Sequence, residues 1–189
     1  MDDFDKDLAA ALEVLRKGGI ILYPTDTIWG IGCDATNPEA VERIYRLKQR
    51  SDQHAMIVLT AEERDVLQYV AAPDMELFDY LAQCQKPTTV IYEGALGLAG
   101  NLLGQDGSVG IRICKDSFCR HLLKRFRRPL VSTSANISGQ QSPANFQAIS
   151  AYIKKGVDYI VKWRQEEKKE AKASSIIRWN QGKVEIIRP

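Results

Sequence analysis

Short apolar runs alternate along the chain with segments of helical periodicity. An apolar run of a few residues is typical of a buried strand, and six such runs occupy residues 20–23, 56–59, 88–92, 109–114, 130–133 and 157–161. A final pair, residues 175–179 and 183–187, flanks Asn180-Gln181-Gly182 and predicts a hairpin. Strands that alternate with helices favour an α/β sheet covered by helices. The tight final turn makes that sheet mixed rather than purely parallel.

Capping residues and helical spacing place the helices between these strands. The first helix carries Leu8, Leu12 and Leu15 and ends before two glycines. Asn37, which is followed by a proline and a glutamate, begins a helix that reaches Leu47. Further helices are predicted from a Thr60/Glu63 capping-box pattern, over residues 74–84, from Asp116 to Phe126, and from Ser142-Pro143 to Gly156. The glycine-rich residues 94–110 predict a mobile loop, and residues 162–172 predict a charged loop.

Composition limits the class of protein. With 189 residues, 44% of them hydrophobic, the chain can bury a sizeable core, and we expect one domain over residues 1–189. No apolar run approaches the ~20 residues that cross a bilayer, and the acidic residues 1–7 do not resemble a signal peptide. We therefore expect a cytoplasmic protein that does not contact a membrane. The four cysteines and two histidines give no zinc pattern.

Two cations stand at the predicted end of the second helix. Lys48 and Arg50 are two residues apart, and in an extended exit segment, where side chains alternate, both would point the same way. They could then converge on one anion. The alternative is a solvated helix end, where cations interact favourably with the helix dipole.

Polar side chains also follow two of the predicted strands. Ser132, Ser134 and Asn136 repeat a period of two beyond the strand at 130–133. In an α/β sheet, the carboxyl end of a strand is where ligands usually bind. The segment Tyr-Pro-Thr-Asp-Thr at 23–27 follows the first strand and offers two hydroxyls and a carboxylate. Ordinary polar turns are the alternative for both segments.

Other motifs are less specific. Gly30-Ile31-Gly32 lacks the third glycine and the helix start of a dinucleotide fingerprint, and the phosphate-loop lysine pattern is absent. The net charge of +2 is too small for a protein that coats nucleic acid, although it permits a local basic patch. One segment contains the basic residues Arg120, Lys124, Arg125, Arg127 and Arg128. These residues could contact RNA phosphates. The alternative is a solvated helix face.

In this order, these segments resemble the YrdC-like family of threonylcarbamoyl-AMP synthases, in its short, one-domain form. The resemblance runs from about Gly18 to the C-terminus. The matching motifs are Tyr-Pro-Thr-Asp-Thr-Ile-Trp-Gly-Ile-Gly at 23–32, Lys-Gln-Arg at 48–50, Gly-Ile-Arg at 110–112, Ser-Thr-Ser-Ala-Asn-Ile-Ser-Gly at 132–139 and Ser-Ser-Ile-Ile at 174–177. The chain departs from the family pattern at residues 50–56 and 84–89.

The resemblance implies a fold and a set of site residues. The fold would be a twisted mixed sheet flanked by helices, with a large central cavity that holds threonine beside the nucleotide. Threonine would contact Thr27, Arg112, Ser132 and Ser174, with Ser175 as the alternative to Ser174. The nucleotide would contact Lys48, Arg50, His54, Ser108, Ser134, Asn136, Ser142 and Arg188, of which Lys48 and Arg50 would also be catalytic.

The implied activity is that of a nucleotidyltransferase. An L-threonylcarbamoyladenylate synthase forms threonylcarbamoyl-AMP and pyrophosphate from L-threonine, bicarbonate and ATP, for threonylcarbamoyladenosine modification of tRNA. We expect Mg²⁺ to accompany ATP without a dedicated protein site and transfer proteins to act downstream. Direct contact with tRNA is a further partner that the resemblance allows. One alternative is a non-enzymatic protein that binds tRNA or double-stranded RNA in the same basic cavity. Another is an ATP-dependent carbamoyl-transfer component with a different acceptor.

Overall fold

The computed structural model describes residues 3–50, 56–168 and 172–189. Its helices are α1 (Asp3–Arg16), α2 (Pro38–Leu47), α3 (Glu63–Tyr69), α4 (Glu76–Gln83), α5 (Ser117–Phe126) and α6 (Ala151–Gly156). Its strands are β1 (Ile21–Tyr23), β2 (Gly30–Gly32), β3 (Ile57–Thr60), β4 (Thr88–Tyr92), β5 (Val109–Ile113), β6 (Leu130–Ser134), β7 (Tyr159–Ile160), β8 (Ser175–Asn180) and β9 (Lys183–Arg188). No helix in these ranges is long and apolar enough to cross a bilayer.

The strands form one sheet in the order β7-β1-β2-β6-β3-β5-β4-β8-β9. The pairs β1/β7, β3/β5 and β4/β8 are parallel, and the other neighbours are antiparallel. The predicted mixed sheet and its closing hairpin, β8 with β9, are therefore confirmed. Strands β5 and β6 lie on either side of β3, which brings their side chains to one region of the sheet.

Helices cover both faces of this sheet because side chains alternate along each strand. In β3, Val58 belongs to the apolar cluster that includes α2, whereas Leu59 belongs to the cluster that includes α1 and α5. In β1, Leu22 belongs to the cluster that includes α2, and Ile21 belongs to the cluster that includes α1 and α5. The sheet is thus buried on both sides in its centre, as an α/β architecture requires.

Local capping explains where two of the helices begin. The Asn37 side chain accepts hydrogen bonds from the backbone N–H groups of Glu39 and Ala40 at 3.0 and 3.2 Å. Asp116 accepts one from Cys119 at 3.0 Å. Each interaction satisfies an amide that the first helical turn would otherwise leave unpaired. The predicted starts of α2 and α5 are confirmed.

The predicted capping box of the third helix is wrong. Thr60 remains in β3, because its carbonyl accepts a hydrogen bond from Cys114 at 2.9 Å. The helix begins at Glu63 instead, with Glu62 as the N-cap residue. Asp65 then accepts hydrogen bonds from the N–H groups of Ala61 and Glu62 at 3.1 and 2.9 Å.

The helix predicted from Ser142 to Gly156 is also shorter than expected. Only α6 is helical, and Ser150 caps it by accepting a hydrogen bond from Ile153 at 3.3 Å. In the preceding segment, Phe146 packs on Trp29 with ring centroids 4.9 Å apart. Residues 142–149 lie outside the helix, and Ser142 lines the wall of a cavity.

Strand β2 is missing from the prediction because its sequence, Gly30-Ile31-Gly32, has low strand propensity. Its glycines are required by close neighbours rather than by backbone angles. A Cβ built on Gly32 would lie 2.6 Å from the Tyr23 ring and 2.6 Å from the Val131 carbonyl oxygen. The strand can pair with both β1 and β6 only if this position has no side chain.

Replacing Gly32 by alanine is therefore expected to lower the free energy of unfolding by about 1–3 kcal/mol, the cost of overpacking a filled interior. Denaturant titration measures this difference. Gly100→Ala is the matched control, since a Cβ there would meet nothing within 4 Å. Equal unfolding midpoints for the two variants would contradict the argument.

Candidate active site

Among the described residues, three arginines and six hydroxyl groups surround one cavity of about 250 Å³, which we call the arginine cavity. It lies where the turn after β1, the middle of β5, the end of β6 and the C-terminal hairpin meet. Its lining residues are Thr27, Ile28, Gly30, Arg50, Met56, Ile57, Arg112, Ser132, Thr133, Ser134, Ser142, Ala173, Ser174, Ile176 and Arg188. No carboxylate is among the lining residues in the described part of the chain, so the cavity is suited to anions.

Eight of the predicted site residues line this cavity: Thr27, Arg50, Arg112, Ser132, Ser134, Ser142, Ser174 and Arg188. Lys48, Asn136 and Ser108 are elsewhere, and His54 lies outside the described residues. The fold therefore brings together predicted residues from separate segments of the chain, while Lys48, Asn136 and Ser108 do not line this cavity.

A second cavity of about 350 Å³, which we call the side cavity, adjoins the first. Thr27 and Ala173 line both cavities. Trp29, Arg164 and Lys172 also contribute to the side cavity. None of these three residues was predicted as a site residue: Trp29 is an apolar member of the 23–32 motif, and Arg164 and Lys172 lie in the predicted charged loop at 162–172.

Arg112 is the most enclosed of the cavity arginines. It lies in β5 opposite Leu59 of β3, and its side chain is 3% exposed. Its NH2 group donates a hydrogen bond to Thr27 Oγ1 at 3.2 Å. These contacts place the Arg112 guanidinium and the Thr27 hydroxyl side by side at the cavity wall.

The C-terminal hairpin completes the wall. Ser174 Oγ is 2.8 Å from Thr89 Oγ1, and the Ser174 carbonyl accepts hydrogen bonds from Arg188 at 2.8 and 3.1 Å. Ser174 lines the arginine cavity, whereas Ser175 lines the side cavity. Of the two alternatives, Ser174 is therefore the residue beside the three arginines.

Burial and neighbouring positive charge shift the pKa of two of the cavity arginines. Burial, and next the charge of Arg112, lowers the pKa of Arg188. Burial lowers the pKa of Arg50 as well. Of the three, only Arg112 is buried, and a buried guanidinium interacts more strongly with an anionic ligand than an exposed one does, because the local dielectric is lower.

Lys48 does not lie in the arginine cavity but behind it. Its ammonium donates hydrogen bonds to the carbonyls of Ser134 and Asn136 at 2.5 and 2.7 Å. Its own carbonyl accepts a hydrogen bond from Ser138 at 2.8 Å. Lys48 thus fixes the loop that follows β6, and only 2% of the residue is exposed.

The predicted extended exit from α2 is wrong, and this explains the different placement of the two cations. Lys48 is still in the right-handed helical region, with φ −81° and ψ −4°. Gln49 then has φ 50°, and the Arg50 N–H bonds to the Tyr45 carbonyl at 3.0 Å. Because the chain turns back here, Lys48 and Arg50 do not point the same way.

The other two misplaced residues form local hydrogen bonds. Asn136 Nδ2 donates to the carbonyls of Ile137 and Gln140 at 2.9 and 2.8 Å, so this side chain closes its own loop. Strand β6 ends at Ser134, and for this reason the period of two does not extend to Asn136. Ser108 Oγ donates to Asp106 Oδ1 at 2.6 Å, and this bond lowers the pKa of Asp106.

Comparison with known proteins identifies the family of the chain. The model of the Sua5/YciO/YrdC family, described as "Telomere recombination", matches residues 13–189, and the chain belongs to this family. The chain is 31% identical over 157 residues to a threonylcarbamoyl-AMP synthase from Pseudoalteromonas translucida strain TAC 125, covering 82% of this chain and 84% of that protein. The resemblance predicted from the sequence is confirmed.

Solved structures show the same fold. The structure of P. abyssi Sua5 complexed with L-threonine superposes with a TM-score of 0.85 at 20% identity. It matches all of this chain, which spans 55% of the length of that Sua5 chain. The E. coli YciO structure has a TM-score of 0.81 at 24% identity, and the match covers 96% of this chain and 87% of the YciO chain.

Proposed function

We propose that this chain is an L-threonylcarbamoyladenylate synthase, which makes threonylcarbamoyl-AMP and pyrophosphate from L-threonine, bicarbonate and ATP. The observation that carries the proposal is one cavity lined by three arginines and six hydroxyls, in a chain whose curated relatives are named threonylcarbamoyl-AMP synthases. The product would pass to transfer proteins that modify tRNA.

The reaction brings two anions together. The amine of threonine attacks the carbon of bicarbonate and water leaves, which gives a carbamate. A carbamate oxygen then attacks the α-phosphorus of ATP, and the bond to pyrophosphate breaks. The arginines would offset the repulsion between carbamate and triphosphate, and the serine hydroxyls would orient the phosphate, so catalysis would come from positioning and electrostatics.

The arginines would divide between two anionic groups of the substrates. We assign the threonine carboxylate to Arg112 and the phosphates to Arg50 and Arg188. A bound Mg²⁺ would supply further charge neutralisation on the phosphates. Since the described lining residues include no carboxylate, the nucleotide rather than the protein would hold this ion.

An RNA-binding protein has less support as an alternative. On the basic face of α5, Glu62 forms an ion pair with Lys124 and lies 3.9 Å from Arg120. Glu62 also pairs with Arg64 at 2.8 Å. Because Glu62 pairs with cations of this face and Arg128 pairs with Asp34 at 2.7 Å, the face carries less uncompensated positive charge for phosphates than its sequence suggests.

Pyrophosphate release from ATP tests the proposal directly. Release should require both threonine and bicarbonate, and omission of either should reduce it to the background rate. Release without threonine would instead favour a carbamoyl-transfer component with another acceptor. RNA binding that weakens steeply with salt, without any pyrophosphate release, would favour the RNA-binding alternative.

L-Threonine is expected to be preferred to L-serine by at least about fivefold in kcat/KM, because a methyl group in an apolar niche contributes about 1–3 kcal/mol. The apolar part of the cavity wall is formed by Ile28, Met56, Ile57 and Ile176. Steady-state pyrophosphate release at varied amino-acid concentration measures the ratio. Equal kcat/KM values for the two amino acids would remove this specificity.

A further inference from the structure

Asp26 is a carboxylate beside the arginine cavity, and the predicted site residues do not include it. Its Oδ1 lies 3.1 Å from Arg112 NH2, and the two side chains are 10% and 3% exposed. Asp26 lines the side cavity and does not line the arginine cavity. It therefore contacts the guanidinium from outside the set of residues that line the arginine cavity.

This ion pair compensates charge without occupying all of the hydrogen-bond donors of Arg112. In the described part of the chain, Asp26 Oδ1 and Arg112 Nε are both buried without a hydrogen-bond partner. A buried guanidinium N–H without a partner is costly unless a ligand satisfies it. Arg112 is thus held electrostatically while donor capacity remains for an incoming anion.

The turn that carries Asp26 is rigid. Thr25 Oγ1 accepts a hydrogen bond from the Thr27 N–H at 3.0 Å and donates one to the Ile28 carbonyl at 2.8 Å. From outside the turn, Arg164 binds Asp116 at 2.7 Å and reaches the Thr25 carbonyl at 3.4 Å. A carboxylate on such a fixed turn can hold a neighbouring side chain in one place.

A positioning group is needed here because the cavity cations repel one another. Arg112 contributes to the lowered pKa of Arg188, which means that the two charges are close enough to interact unfavourably. Without a counter-charge, a buried guanidinium moves towards solvent or towards any available acceptor. Asp26 is the carboxylate that Arg112 contacts.

We propose that Asp26 is a positioning residue that holds the Arg112 guanidinium where it binds the carboxylate of the amino-acid substrate. Asp26 acts through Arg112 and does not touch the substrate itself. This inference rests on the proposed function, since it takes L-threonine as the ligand of Arg112. It adds a residue that selects for a substrate carboxylate.

The test is direct binding of L-threonine and of ATP, each measured separately by calorimetry. Asp26→Asn is expected to raise the Kd for threonine about tenfold, the loss that follows when a charge-assisted contact is removed. The Kd for ATP, measured without threonine, should change by less than about threefold. If the role of Asp26 were merely structural, Asp26→Asn would weaken the binding of threonine and of ATP together, because it would lower the fraction of folded protein.

Two further variants keep the test decisive. Asp26→Glu retains the charge and should keep the threonine Kd within about threefold of wild type, even if Asp26→Asn folds poorly. Asp34→Asn is the matched control: Asp34 is a buried carboxylate paired with Arg128 at 2.7 Å, and it lines neither cavity. The Kd of the Asp34→Asn variant for threonine should equal that of the wild type.

Unchanged or tighter threonine binding in Asp26→Asn would overturn the inference while leaving the proposed function intact. Equal weakening of threonine and ATP would overturn it as well. Failure of the wild-type protein to bind threonine would overturn the inference and the proposed function together, so the two failures can be told apart.

Discussion

Replacing Arg50 by alanine is expected to lower turnover at least about tenfold, because one preorganised cation in a desolvated site commonly contributes that much to catalysis. Arg50 lines the arginine cavity, and burial lowers its pKa. In the variant, two guanidiniums instead of three would have to offset the repulsion between carbamate and triphosphate. Pyrophosphate release at saturating ATP, threonine and bicarbonate measures the change in kcat.

Arg46→Ala provides the control for this experiment. Arg46 is an exposed cation near the end of the same helix, where it pairs with Glu42 at 2.9 Å. Because an exposed pair of this kind contributes little, its removal should leave kcat within about twofold. Wild-type turnover in Arg50→Ala would refute the role assigned to this arginine.

Replacing Lys48 by methionine should also lower turnover at least about tenfold, although Lys48 does not line the cavity. Methionine has a similar length but cannot donate, so the carbonyls of Ser134 and Asn136 would lose their buried partner. The loop after β6 would then hold Ser134 less firmly at the cavity wall, and a small displacement of a positioning group costs rate steeply. The same kcat measurement applies, with the exposed Lys17→Met as control.

The pH dependence of stability provides a second check on Lys48. Burial, and next the charge of Arg50, lowers its pKa from 10.5 to about 8 in the folded protein. Between these values the unfolded chain binds more protons, so the free energy of unfolding of the wild type rises with pH relative to Lys48→Met. The difference in free energy of unfolding between the wild type and Lys48→Met should rise by at most about 1.4 kcal/mol per pH unit. A stability difference that stays constant from pH 7 to 10 would contradict the burial of this ammonium.

Local sequence was sufficient for those elements whose ends are determined by neighbouring residues. The Asn37 cap and the β8/β9 hairpin need only a few adjacent side chains to form. Strand β2 and the segment before α6 could not be predicted in this way. Gly32 is fixed by Tyr23 and by the Val131 carbonyl, and Phe146 is fixed by Trp29; both are contacts between distant parts of the chain.

The same division applies to the candidate site. Ser132 and Ser134 were predicted from the period of two along β6, which the strand geometry enforces. The placement of Lys48 depended instead on the left-handed backbone at Gln49, which glutamine does not signal. The pairing of Asp26 with Arg112 joins residues from β5 and from the turn after β1, and no spacing within the sequence indicates it.

Three guanidiniums around a space of about 250 Å³ have a consequence for work with the purified protein. Sulfate and inorganic phosphate carry several oxygens that fit such a cluster, whereas chloride carries a single diffuse charge. Buffers that contain these oxyanions should therefore act as competitors of the nucleotide and not only as screening electrolytes. At equal ionic strength, ammonium sulfate should lower the reaction rate more than ammonium chloride does. The salt used for storage should therefore affect the activity that is measured.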